Sequence, residues 1–82
     1  MKIGQIVYSK AGRDKGKVMA VISNSDSEIF VVDGKERPLE RPKLKNQKHL
    51  IVTGYCLKQE EYRSNKALRS SLKRYQAKKD EL

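Results

Sequence analysis

Apolar residues fall along this chain in short blocks separated by glycine, proline and polar runs. Gln5 to Ser9 carries Ile6-Val7, Lys17 to Asn24 carries Val18, Val21 and Ile22, and Glu28 to Asp33 carries Ile29-Phe30-Val31-Val32. Blocks of this length, rich in β-branched residues and bounded by turn formers, predict strands. Residues 37 to 40 predict a short fourth strand, and His49 to Thr53 a fifth. Pro38 has no amide hydrogen to give a ladder, so it belongs at an edge or a strand start. Asn24-Ser25-Asp26-Ser27 reads as a polar turn. Asp33-Gly34 is a hairpin signal, because both residues tolerate the positive φ of a tight turn. The predicted core includes Val7, Val18, Ala20, Ile22, Val31, Leu50 and Val52. The third strand is apolar on both faces, so something must cover the face that does not point into that core.

The period of the pattern changes after residue 63. Leu68, Leu72 and Tyr75 recur at i, i+4 and i+7, which is one stripe of a helix. The helix is expected to start near Ser64, with Ser64 or Asn65 capping the free amides of its first turn. Lys66, Arg69 and Lys73 flank the stripe on one side, Arg74 and Lys78 on the other. A stripe this narrow predicts packing onto the strands and makes the helix the candidate cover for the third strand. The alternative is a weakly docked helix that orders on binding a partner.

Charge adds a second layer. The chain has 82 residues and a formal net charge of +9. Residues 1 to 33 hold five basic and four acidic side chains, whereas residues 34 to 49 hold six and two. Residues 50 to 82 hold eight and four, so the positive field belongs to the later segments. Such a field points to a polyanionic partner. Nucleic acid is favoured over a membrane surface, since no strongly apolar helical face accompanies the charge.

Two segments concentrate the candidate chemistry. In Ser9-Lys10-Ala11-Gly12-Arg13-Asp14-Lys15-Gly16-Lys17-Val18, two glycines bracket a basic loop between two strands. Gly12 and Gly16 can adopt positive φ or admit a close backbone, and so shape the loop. Lys10, Arg13, Lys15 and Lys17 then offer cations to phosphate, Arg13 with bidentate geometry. Asp14 has open alternatives: it can pair with Arg13 or Lys15, or hold the turn through its own backbone. The second segment carries Arg41, Lys43, Lys45 and Lys48. In extended chain Arg41, Lys43 and Lys45 share one face and form a ridge. Asn46 and His49 are secondary candidates for hydrogen bonds to phosphate, sugar or a base edge. Pro42 stiffens the segment.

Gly12-Arg13-Asp14-Lys15-Gly16-Lys17 resembles the signature of the KOW domain. Gly4-Gln5-Ile6-Val7, Val31-Val32-Asp33-Gly34 and the run from Arg41 to Leu50 are similar to one bacterial subgroup of that family, RNA-binding proteins that resemble an archaeal and eukaryotic large-subunit ribosomal protein. The resemblance spans about residues 2 to 54. It implies a mainly β fold, a small SH3-like five-stranded barrel over residues 1–57. Residues 58–82 then form a basic C-terminal helix and tail, packed on or beside the barrel. Pro38 departs from the family pattern, in which its segment is a strand. The resemblance further implies a cytoplasmic, non-catalytic RNA-binding protein, ribosomal or ribosome-associated, with ribosomal RNA as partner and ribosomal proteins as further contacts. The alternative is a protein-interaction module that tethers a transcription or translation factor through its basic face, because fold alone does not settle function.

Other chemistries find little support. His49 is the lone histidine and Cys56 the lone cysteine, which argues against a metal site or a disulfide and reads the thiol as inert and half-buried. Neither residue is placed near a base or a third orienting group, so no nucleophilic constellation is formed. Glu60-Glu61 read as surface charges. The glycine-lysine loop lacks P-loop spacing and its Ser/Thr, so no nucleotide cofactor is expected. Tyr8, Tyr55, Tyr62 and Phe30 are the aromatic candidates for stacking on unpaired bases, with Phe30 and at least one tyrosine expected in packing. No transmembrane-length or signal-peptide apolar run is present. The final Lys79-Asp80-Glu81-Leu82 spells a retention signal of the secretory route, but is expected to be a solvated charged tail.

Overall fold

The structure, a computed structural model, describes residues 1–80. Its strands are β1 (Gln5–Ser9), β2 (Val18–Ser25), β3 (Glu28–Val32), β4 (Lys43–Asn46) and β5 (Leu50–Cys56). They form one antiparallel sheet in the order β4-β3-β2-β1-β5, followed by the helix α1 (Asn65–Asp80). The expected charged ending at Glu81-Leu82 lies outside the described residues. No helix among the described residues is long and apolar enough to cross a membrane.

Period-two alternation sorts the apolar side chains onto two faces. Ile6, Ala20 and Val32 are buried on one, with Val18 and Ile22 half-buried beside them. Val7, Met19, Val21, Ile29, Val31 and Leu50 are buried on the other. The helix closes the first face. Leu68 and Leu72 pack among Ile6, Ala20 and Val32, and Tyr75 lies against the same cluster. Of the doubly apolar third strand, the helix thus covers Val32, while Phe30 stays half-buried outside that cluster. Ser64 caps the helix, its Oγ accepting from the Ala67 amide at 3.1 Å.

The second face is covered by curvature. β4 and β5 are the two edges of the sheet, and only the short turn Gln47–His49 separates them in the chain. Four flat interstrand spacings would hold the edges roughly 19 Å apart. Four residues of extended chain, from Asn46 to Leu50, span at most about 14 Å. The sheet must therefore curl, which folds its second face around Val7, Met19 and Val31. No ladder joins β4 to β5 among the described residues, and the sheet remains open.

Four details differ from the sequence expectations. Residues 37 to 40 form no strand; the fourth strand is β4, inside the second basic segment. The chain from 33 to 42 instead folds as a loop. Asp33 Oδ1 accepts from the amides of Lys35 and Arg37 at 2.8 and 2.9 Å, and Pro38 is buried. The expected tight hairpin turn at Asp33-Gly34 does not form: only Gly34 takes positive φ, and the amides of Asp33 and Gly34 both donate to the Arg37 carbonyl across a wider loop. Second, Val52 is 46% exposed, because β5 is an edge with a neighbour on one side only. Third, His49 belongs to the turn and the fifth strand runs on to Cys56. Fourth, Cys56 is exposed on that edge rather than half-buried.

The 33–42 loop serves α1. Asn65 Oδ1 accepts from the Leu39 amide at 2.8 Å, its Nδ2 donates to Glu40 at 2.7 Å, and Arg69 donates to the Gly34 carbonyl at 2.7 Å. Gly34 has φ +81°, and a Cβ there would lie 2.6 Å from the Asn65 carbonyl oxygen. Only glycine permits both that conformation and that approach.

Candidate functional site

The loop between β1 and β2 is closed by its own backbone. The Gly16 amide donates to Ser9 at 2.9 Å, Lys15 to Gly12 at 3.2 Å and Lys17 to Asp14 at 2.9 Å. Gly12 and Gly16 have φ +76° and +83°, the left-handed conformation expected of the loop-shaping residues. The resulting single turn of 3-10 helix, Gly12–Asp14, points the Asp14 side chain inward and leaves Arg13 and Lys15 exposed.

Asp14 is 1% exposed, an unusual place for a carboxylate. It is neither paired with Arg13 nor with Lys15. Its partners come from three other places: Arg37 Nη2 at 3.4 Å, Lys45 Nζ at 3.4 Å and Lys17 Nζ at 3.7 Å. Burial alone pushes the Asp14 carboxyl up, but the charges of Arg37, Lys45 and Lys17, with the Lys45 hydrogen bond, outweigh it and hold the group below its ordinary value. One carboxylate thus ties together the β1–β2 loop, the 33–42 loop and β4. The two basic segments of the sequence meet at this residue.

The candidate contact residues divide around it. Lys45 stands opposite Ile29 and Lys43 opposite Val31, so the predicted shared face of 43 and 45 is real. That face continues the buried second side of the sheet. Lys45 lies along it, 10% exposed at the side chain, and its ammonium also reaches Ser9 Oγ at 3.3 Å. It is therefore a supporting cation rather than part of an outward ridge. Lys17 is shared between Asp14 and Glu36, the latter at 2.7 Å. That hydrogen bond raises the Lys17 pKa and lowers that of Glu36.

Lys10, Arg13, Lys15, Arg41, Lys43 and Lys48 are exposed, and none makes an ion pair among the described residues. Lys10 is held at its backbone, where its amide donates to the His49 carbonyl at 2.8 Å. That bond joins the start of the first basic segment to the end of the second. Asn46 is exposed and caps the Gln47–His49 turn, its Oδ1 accepting from the Lys48 amide at 3.1 Å. His49 is exposed.

Sequence reasoning missed Arg37, which falls in the segment read as a strand, and Glu36 just before it. The signal that could have found the cluster was the acid inside a basic loop. An aspartate flanked by Arg13 and Lys15 already suggests a local partner, which hides the long-range ones. Comparison with known proteins found no matching family model and no matching curated protein.

Proposed function

We propose that the chain is a non-catalytic RNA-binding module of the KOW type, with the open, curled sheet as its SH3-like barrel. The observation that carries the reading is the Asp14 cluster. It fixes two basic segments against one another and leaves six exposed cations without carboxylate partners among the described residues. Such an array complements a phosphate backbone whose strands present regularly spaced anions. The loop glycines, the strand order and the short turn joining the sheet's two edges support the fold assignment. The Gly12-to-Lys17 resemblance supports RNA as the polyanion and a ribosomal setting in the cytoplasm.

Arg13 and Lys15 act at the loop tip. Lys10, Arg41, Lys43 and Lys48 extend the contact, and Asn46 and His49 add hydrogen bonds. Lys17 and Lys45 contribute charge while holding the loop in place. Binding to a stem-loop RNA and to a matched DNA duplex across a salt series tests the proposal. With about five phosphates neutralised, log K falls with log[salt] at a slope of about −3.5 to −4.5. RNA is preferred, because A-form shape and the 2′-hydroxyl distinguish it from DNA. A flat salt response or a preference for the DNA duplex would overturn the reading.

A further inference from the structure

Away from the Asp14 cluster, a recess of about 360 Å³ lies between the end of β5 and the C-terminal half of α1. Its size falls at the small end of the range of about 300–1,000 Å³ found for small-molecule sites. Ile6 and Leu57 contribute apolar walls. Tyr55 and Tyr75 line it too, with ring centroids 5.0 Å apart and planes at 70°. Tyr75 is half-buried in the helix–sheet core, so it acts as a fixed backing. Tyr55 is 53% exposed. An aromatic ring supported on one side and exposed on the other can accept a planar partner.

The rim of the recess is cationic. Arg74 and Lys78 occupy successive turns of α1 and both are exposed. Glu61 also lines the recess and lies 3.7 Å from Arg74. That separation is too long for a strong charge-assisted hydrogen bond, so a doubly hydrogen-bonding anion can compete for the guanidinium. Lys78 makes no ion pair among the described residues. An aliphatic ligand would fill the apolar walls and waste the two cations. An acidic peptide would satisfy the cations and leave the ring open. A nucleotide matches both at once, with a flat base for Tyr55 and a phosphate for Arg74 and Lys78.

The recess and the loop described above lie at the two ends of β1. Tyr8 is in ring contact with Tyr75 at 6.4 Å, and β1 leads from Tyr8 into Lys10 within two residues. Tyr55 stands beside the Gln5–Ile6 end of β1, so at roughly 3.3 Å per residue it lies roughly 13–17 Å along the strand from Lys10, a span that a few nucleotides of one RNA can bridge.

We propose that this recess receives one unpaired nucleotide of the bound RNA, its base stacked on Tyr55 and its phosphate held by Arg74 and Lys78. The inference rests on the RNA-binding reading and deepens it: the ligand is an RNA with a bulged or looped-out nucleotide beside its paired stem.

The test uses the full chain and two RNA hairpins with the same stem, one carrying a single bulged nucleotide. The unmodified chain binds the bulged hairpin more tightly. Tyr55→Ala weakens that binding about 5- to 150-fold, the range expected for one stacked base, and leaves the plain hairpin unaffected. Tyr55→Phe keeps the preference, which shows that the ring rather than the hydroxyl carries it. Glu61→Gln removes the carboxylate beside Arg74, whose guanidinium keeps its 3.3 Å bond to Ser71 Oγ, and tightens binding to the bulged hairpin, while the remaining amide oxygen can still accept from the Lys58 amide. Thermal melting of each variant checks that the fold is intact.

If Tyr55→Ala binds both hairpins as the unmodified chain does, while Arg13→Ala with Lys15→Ala weakens both, the recess holds no base and the RNA reading stands. If the unmodified chain binds neither hairpin, the RNA reading fails and the recess proposal with it.

Discussion

Lys43 and Lys45 stand two residues apart on one strand and one face, yet they belong to different parts of the molecule. Lys45 has its stem on the core and its ammonium beside a buried carboxylate. Lys43 is exposed and has no such partner among the described residues. The same division runs through the rest of the basic surface. Lys17, Arg37 and Lys45 converge on Asp14, whereas Lys10, Arg13, Lys15, Arg41 and Lys48 do not. The first group is held by the fold and holds the fold. The second is what that scaffold presents to solvent. A net charge of +9 counts both groups alike and so overstates the cations free to meet a ligand.

The strongest way to break this division is to remove its centre. Asp14→Asn keeps the shape of the side chain and leaves Arg37 and Lys45 facing one another without an anion. Breaking a fully buried pair in this way costs about 3–5 kcal/mol. Arg37 and Lys17 reach water here, so the expected loss is about 2–3 kcal/mol, or a melting point lowered by about 10 °C or more. RNA affinity falls with it, because the two loops lose their common anchor. The pH dependence follows from the direction of the Asp14 shift. Its carboxyl is held below the ordinary value, so its contribution to stability is present above the unfolded-state pKa. It is lost as pH falls through the lower, folded-state pKa. Melting temperature should therefore drop in acid for the unmodified chain, and drop less for Asp14→Asn. Equal acid sensitivity in the two chains would show that Asp14 does not organise the cluster.

Much of the scaffold was legible before this cluster was. The strands β1, β2 and β3 follow from blocks of β-branched residues bounded by turn formers, and the helix from Leu68, Leu72 and Tyr75. These are local signals, and local signals survive in a linear chain. The fourth strand was misplaced because Lys-Leu-Lys-Asn carries little β-propensity of its own. It is a strand because β3 offers it an edge, a tertiary cause with no trace in the segment itself. Val52 was misassigned for a related reason: alternation predicts a face, but not that β5 would lie at the border of the sheet. In the basic segments the positions and parity could be read. The inward turn of Asp14 could not, since its partners lie 3, 23 and 31 residues away.

A smaller effect sharpens the contrast on the strand itself. Lys45→Met keeps the buried stem and removes the ammonium from Asp14. It should lower stability by about 1–2 kcal/mol, since a charged hydrogen-bonded partner is lost while Arg37 and Lys17 remain. Lys43→Met should stay within about 0.5 kcal/mol of the unmodified chain, as exposed substitutions usually do. Binding should reverse the order once it is measured well below both melting points. Lys43→Met loses a phosphate contact, and the salt slope becomes shallower by about 0.7–0.9. Lys45→Met changes the slope less. If the two variants melt alike and share one slope, the inward and outward lysines are not distinct.

The smallest effect concerns the residue that stands between the two groups. Lys17 touches Asp14 at 3.7 Å and Glu36 at 2.7 Å, and the Glu36 side chain is 63% exposed. Exposed pairs of this kind hold little stability, because water screens them and two long side chains lose freedom in forming them. Glu36→Gln should therefore leave the melting curve unchanged at neutral pH. The Lys17 pKa, raised by its bond to Glu36, relaxes toward its ordinary value, which lies far enough above neutrality that the charge is retained. What changes is competition. A carboxylate that would repel an approaching phosphate is gone, and Lys17 is free to turn outward. Affinity for the stem-loop RNA should rise modestly, and the salt slope should steepen by up to about 0.7–0.9 as one more phosphate is engaged. If affinity falls instead, Glu36 is positioning Lys17 for its contact, and Lys17 belongs with the presenting cations rather than with the group around Asp14.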